Sequence, residues 1–256
     1  MIDIHAHILP GLDDGAQTME EAIEMAQAAV QAGIHTIIAT PHHGTSKYEN
    51  EKAVVMESVR RLNEELGRQD IALRVLPGQE VRIYGELLQD LQAGKVLTLN
   101  DTGEYLLVEF PSNHVPRYVE ALFYDLQCEG VTPIIAHPER NAEIIGNPDI
   151  LYNLVQKGAL AQVTAASLSG GFGKKIKKFS MQLVKHHLIH FIASDAHNVS
   201  TRSFKMKEGM GELEQELGQQ HTYLLRESAA AVVSGGYIHK EDPKHIRIKK
   251  ILGGLF

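Results

Sequence analysis

Two rhythms of apolar residues take turns along this chain. One is a set of short runs dense in isoleucine, valine and alanine, at residues 34–40, 71–76, 105–110, 132–136, 159–163 and 188–193, with a further run opening the chain at Ile2 and Ile4. Brief, β-branched and bounded by glycine or proline, these read as buried strands. The other rhythm has the 3.6-residue spacing of a helix with one apolar face. Met19, Ala22, Ile23, Ala26, Ala29 and Val30 show it first, behind a Thr18-Met-Glu-Glu21 capping box and ahead of a closing Gly33. Val55, Val59, Leu62 and Leu66 repeat it over residues 50–66, with Gly67 as the stop. Further helices are predicted over 86–92 and 117–128, and from the Asn147-Pro148 start to Gly158. A lysine-rich helix follows Ser169-Gly-Gly-Phe-Gly173, and two more span 204–217 and 226–234.

Seven strands alternating with helices imply parallel pairing through crossover connections. No linker or low-complexity tract divides residues 1–256, so one domain is expected. Between a doubly wound sheet and an α/β barrel, the barrel is preferred. Candidate ligands follow nearly every strand, whereas an open sheet gathers its site at one switch point. No Gly-x-Gly-x-x-Gly follows a strand, which also disfavours a dinucleotide fold.

Composition narrows the function classes. A net charge of −7 argues against nucleic acid or an anionic membrane as the main partner. The single cysteine, Cys128, forbids an internal disulfide, and no leader-like or membrane-length apolar segment is present, so a cytoplasmic protein is expected. The basic run at 239–250 reads as solvated surface.

The strand ends carry the chemistry. His5 and His7, then His42 and His43, Glu80, Glu109, His137, and Asp195 with His197 each fall where a strand stops, and Asp14 closes the first turn. Residues i and i+2 of a strand share a side, so His5 and His7 can face one cation together. In a barrel all these ends converge on one face. So many imidazole and carboxylate groups without thiolate suit a cluster of two or three divalent ions such as manganese, iron or zinc. Arg140 and Arg202 follow closely in sequence and offer the guanidinium fork that binds a phosphate. The remaining histidines, including His35, His114, His187, His190, His221 and His245, fall on helices, strand interiors or the tail and read as structural.

The ordered motifs Asp3-Ile-His5-Ala-His7, Thr40-Pro-His42, Gly78-Gln-Glu80, His137-Pro-Glu-Arg140 and Ser194-Asp195-Ala-His197 resemble those of the PHP (polymerase and histidinol phosphatase) family. The wider matches at His7–Gly15, Ala39–His43, His137–Asn141 and Ser194–Asn198 resemble its capsule and exopolysaccharide branch, the bacterial tyrosine-protein phosphatases of the CpsB/CapC/YwqE group. Ala6 stands where many relatives are expected to carry cysteine. The resemblance implies a distorted (β/α)7 TIM-like barrel with three divalent metals, manganese first and iron or zinc as alternatives. By position, it implies one metal on His5, His7, Glu80 and Asp195, a second on Glu80, Glu109 and His137, and a third on Asp14, His42 and His197. Arg140 and Arg202 would hold the substrate phosphate catalytically, with His43 as a substrate contact. The implied activity is hydrolysis of phosphotyrosine by a metal-activated hydroxide, on a phosphoprotein such as the tyrosine-rich tail of a bacterial tyrosine kinase. The alternative is a small phosphomonoester such as histidinol phosphate.

Overall fold

A computed structural model describes residues 1–247. Its strands are β1 (Ile2–Ala6), β2 (Thr36–Ala39), β3 (His42–His43), β4 (Arg74–Pro77), β5 (Glu80–Arg82), β6 (Tyr105–Glu109), β7 (Thr132–Ala136), β8 (Leu160–Thr164) and β9 (Phe191–Ala193). The helices are α1 (Met19–Gln31), α2 (Lys52–Arg68), α3 (Leu87–Gln92), α4 (Val119–Cys128), α5 (Ala142–Gly146), α6 (Asp149–Gln156), α7 (Ala165–Ser169), α8 (Lys174–Lys185), α9 (Met206–Leu217) and α10 (Gln219–Ser234).

All pairings are parallel. One sheet runs β1-β2-β4 and the other β3-β5-β6-β7-β8-β9, and a bridge between Ala6 and Ala196 brings the end of the second back to β1. β2 and β3 are two halves of one strand position, broken at Thr40-Pro41; β4 and β5 are likewise broken at Gly78-Gln79. Seven strand positions in chain order therefore make a distorted (β/α)7 barrel. Gly78 marks a break for a steric reason: a Cβ there would lie 2.7 Å from the Ile38 side chain.

Alternation along the strands separates two cores. Ile4, Ile38, Leu76, Leu107, Ile134, Leu160 and Phe191 fill the interior, and Ala229 and Val232 of α10 join them. Ile37, Val75, Val81, Leu106, Val108, Ile135 and Ile192 face outward and pack with helix residues such as Ala26, Leu62, Leu126 and Leu183. Each such aliphatic side chain stabilises the fold by roughly 1.5–3 kcal/mol relative to exposure. Continuing the interior phase upward gives Glu109 after Leu107 and Gln162 after Leu160, so the polar site stands on an apolar plug.

β1 departs from simple alternation. Asp3 pairs with Ile37, but Ala6 pairs with Ala39, so β1 holds one extra residue between them. Such a bulge reverses the phase of a strand. Below it Ile4 faces the apolar interior; above it His5 and His7 do so instead.

Several helix starts differ from expectation. Residue 50 is not helical: Glu51 precedes α2 without a side-chain cap, and Asn50 uses its amide elsewhere. Thr18 does accept from the Glu21 amide, but Glu21 returns to the backbone of Gln17. Asn147 caps no helix with its side chain; Asn141 does, accepting from Glu143 and Ile144 at the start of α5. The basic tail is not simply solvated. Ile238 and Ile246 are buried, Lys240 donates to the Gly158 carbonyl, and His245 stacks on Tyr152 with its Nδ1 2.8 Å from Asp149. Positions 248–250 of that run lie outside the described residues. Among the described residues no helix is long and apolar enough to cross a membrane.

Candidate metal centre

At the C-terminal rim of the barrel the side chains of β1, β3, β5, β6, and of the loops after β7 and β9, meet. His5 Nε2 lies 3.2 Å from His7 Nε2, 3.4 Å from Glu80 and 3.5 Å from Asp195. His7 Nε2 lies 3.4 Å from Glu80 and 3.3 Å from Asp195. The four groups expected to share one ion are therefore together. Asp14 lies 3.4 Å from both His42 Nε2 and His197 Nε2, and His7 joins that set. His137 Nε2 is 2.7 Å from Glu80 and 3.9 Å from Glu109. His42 Nδ1 also faces Glu80 and Glu109, at 2.9 and 4.0 Å, so His42 stands between two sets rather than in one.

The ring orientations are fixed from behind. His5 Nδ1 faces the Gln162 side-chain oxygen at 3.0 Å, His7 Nδ1 faces Asp13 at 2.6 Å, and His197 Nδ1 faces the Asp195 carbonyl at 3.0 Å. A ring donating from Nδ1 presents the Nε2 lone pair to the site, the tautomer a metal ligand needs. Asp13 also accepts from the backbone amides of Gly15 and His42, and Asn50 donates to the carbonyls of Leu12 and His42. Gly15 is dictated by this closeness: a Cβ there would fall 2.0 Å from the His7 carbonyl oxygen. His137 and Asp195 both hold positive φ, at 33° and 51°, conformations costly for these residues and common at functional sites.

Electrostatics point the same way. Burial opposes charge on Glu80 and Asp195, but the surrounding imidazoles outweigh it and hold both carboxyls well below their usual range. Burial likewise opposes charge on His42, and Glu80 and Asp14 reverse the balance, lifting it to about 9. Glu109 is pushed up to about 7 by burial and by the Glu80 charge. His137 is lowered to about 4 by burial and by Arg140. His42 Nδ1, Glu80 Oε2, Glu109 Oε2 and His197 Nε2 are buried and make no well-aligned hydrogen bond, their polar neighbours being one another, Asp14 and Arg82. Buried acceptors without a well-aligned donor are expensive, and clustered imidazole and carboxylate acceptors fit divalent cations.

Arg140 and Arg202 both reach Asp195, at 2.5 and 3.2 Å, and both line a cleft of about 270 Å³ over the cluster. The buried Nε of Arg140 has no partner. His43 is not brought to this place. It alternates to the opposite side of β3, beside Val81, is buried, and faces Glu49 at 3.5 Å. Conversely, Asp13, Gln162, Asn50 and Arg82 belong to the site without having been expected there from the sequence. Arg82 pairs with Glu109 at 2.8 Å. Gln162 carried a readable signal, a polar residue inside the apolar run at 159–163, and Asp13 had the general need of a ligand imidazole for a partner on its other nitrogen.

A family model for capsular polysaccharide synthesis, CpsB/CapC, matches residues 1–234. The chain belongs to the CpsB/CapC family. Its relatives include the tyrosine-protein phosphatase YwqE of Bacillus subtilis (strain 168), 54% identical over 253 residues that make up 99% of each chain. The tyrosine-protein phosphatase CpsB of Streptococcus agalactiae serotype III (strain NEM316) is 25% identical over 93% of this chain and 100% of its own. Among solved structures, one from work on B. subtilis YwqE and Streptococcus pneumoniae CpsB, described as unique metal-dependent tyrosine phosphatases, superposes with a TM-score of 0.95. It is 55% identical and covers 97% of this chain and 100% of that one. CpsB/CapC membership thus spans the strand-end cluster, both arginines and most of the fold.

Proposed function

We propose that this chain is a metal-dependent protein-tyrosine phosphatase. The observation that carries it is the convergence of nine imidazole and carboxylate groups, several without a well-aligned hydrogen bond, directly beneath two arginines in one cleft. His5, His7, Glu80 and Asp195 would hold one ion, Glu80, Glu109 and His137 a second, and Asp14, His42 and His197 a third, with His7 and His42 close enough to share. Manganese is the favoured metal. Bound there, divalent ions supply a hydroxide at neutral pH and positive charge beside the phosphoryl oxygens.

The protein's own groups do the positioning. Asp195 holds both guanidiniums, and their remaining N–H donors would take the phosphoryl oxygens as negative charge builds on them. A phenolic leaving group has a pKa near 10, roughly, so no strong general acid is required. Cys128 is exposed at the C-terminal end of α4, the opposite end of a βα unit from the site, which leaves it no nucleophilic role. Full-length likeness to tyrosine-protein phosphatases favours a phosphoprotein over a small phosphomonoester such as histidinol phosphate. We take residues 1–256 to act as one cytoplasmic unit on the phosphotyrosine tail of a kinase governing polysaccharide export.

Chelation tests the reading. Exhaustive dialysis against EDTA should abolish hydrolysis of a phosphotyrosine peptide, and added Mn²⁺ should restore it. Full activity in the metal-free protein would overturn the assignment.

A further inference from the structure

Beside the cleft lies a basic groove that the phosphatase reading leaves unused. It runs between α8 and the end of α9, has a volume of about 380 Å³, and is walled by Lys174, Lys178 and Lys185 over a floor of Met181 and Leu217. Lys177 within it is neutralised by Glu212 at 2.6 Å, and Glu216 stands on the opposite wall. Lys174, Lys178 and Lys185 make no ion pair among the described residues and are exposed.

Two features tie this groove to the active site. α8 packs on the 138–140 turn that carries Arg140. Just before α8, Phe172 lies 5.3 Å from the Arg140 guanidinium carbon and remains 41% exposed, so the groove's upper end adjoins the phosphate clamp. The placement of the lysines also breaks a local rule. Lys174 and Lys175 fill the first turn of α8, where the helix dipole favours acids, and Gly173 supplies no capping side chain. Such a cost without a structural return is what a binding surface leaves in a sequence.

Charge decides the occupant. Lys174, Lys178 and Lys185 set three exposed ammonium groups, unpaired among the described residues, along one side of α8, outside the cleft that takes the phosphate, and such a row attracts an acidic segment. We propose that the lysine-lined groove between α8 and α9 docks acidic residues flanking the phosphotyrosine of a substrate segment. This rests on the phosphatase reading and adds the substrate's character to it. From Lys174 to Lys185 the helix rises about 17 Å, a length that roughly five extended residues cover, so the acids fall within a stretch of about five residues on one side of the phosphotyrosine.

The test uses the metal-loaded full chain, a phosphotyrosine peptide with acidic flanks, its neutral-flank counterpart and p-nitrophenyl phosphate. Wild type should prefer the acidic peptide by about tenfold in kcat/KM, mostly through KM and less so at high salt. The variant Lys174→Glu/Lys178→Glu/Lys185→Glu should lose that preference while hydrolysing p-nitrophenyl phosphate normally; the triple alanine variant should fall between. An equal preference in all three proteins, or none in wild type, overturns the proposal. So does loss of binding to phosphatidylserine vesicles in the variant with peptide ranking unchanged, which would assign the lysines to a membrane surface. If wild type hydrolyses neither peptide, the phosphatase reading fails instead. Fluorescence anisotropy with the unphosphorylated acidic peptide then still decides the groove.

Discussion

Asp13 offers the sharpest test of how the centre is built, because it touches three of its parts without facing the cleft. Its carboxylate receives His7 Nδ1 at 2.6 Å, the His42 amide at 3.0 Å and the Gly15 amide at 2.9 Å, and it is 4% exposed. Asp13→Asn keeps the volume and one acceptor oxygen but removes the charge that fixes the His7 tautomer. Losing such a partner behind a ligand imidazole costs about 10- to 100-fold in metal affinity, or roughly 1.4–2.7 kcal/mol. Asp13→Ala additionally strands two backbone N–H groups, each worth on the order of 1–3 kcal/mol of stability when buried unpaired. The two variants should therefore separate. In Mn²⁺ titrations followed by electron paramagnetic resonance of the free ion, both bind more weakly than wild type. In urea denaturation of the metal-free protein the alanine variant falls further, because it strands both backbone amides whereas asparagine keeps an acceptor for one side only. Wild-type Mn²⁺ affinity in Asp13→Asn would refute the claim that this carboxylate sets the orientation of His7.

Two other predictions concern the frame around the centre. Gly15→Ala places a methyl 2.0 Å from the His7 carbonyl oxygen, so the turn must open; the expected loss is at least about 1–3 kcal/mol in urea denaturation, and an unchanged midpoint would contradict the packing. His190 is buried, and its Nδ1 accepts from the Ala161 amide at 3.2 Å; burial, with Lys240 and His187 nearby, lowers its pKa to about 3. The unfolded chain takes up this proton near pH 6.5 and the folded one does not, so stability falls as pH drops below about 6.5 and the loss levels off near 3, reaching roughly 2 kcal/mol at pH 5. His190→Asn retains an acceptor without a titrating group, and its stability difference between pH 7 and pH 5 should shrink by about that amount; an identical difference would show that another group is responsible.

Much of this architecture was legible along the chain. The strand runs at 105–110 and 132–136 became β6 and β7 within a residue or so, because short β-branched segments between Gly and Pro have few other ways to bury their side chains. The ligand candidates were legible for a related reason: a carboxylate such as Glu109 ending an apolar strand is too costly to be idle. The same logic applied to Gln162 would have found the residue behind His5. His43 and Asn50 were less accessible. Whether His43 follows His42 into the site depends on the pairing of a two-residue strand, and Asn50 looked like a helix start because nothing local shows that its amide is taken by Leu12 and His42.

What the sequence determines by itself is therefore what depends on near neighbours: the period of each element, the order of strands and helices, and which chemical groups stand at strand ends. Tertiary structure decided the rest. The extra residue in β1 turns His5 and His7 inward above an Ile4 that is also inward, and only pairing with β2 reveals it. His5 meets Gln162 across 157 positions of sequence, and Arg140 meets Phe172 of the turn before α8. Periodicity records the face a residue prefers. Register and the partners of buried polar atoms are fixed only when distant segments compete for the same interior, and there the fold makes its choice.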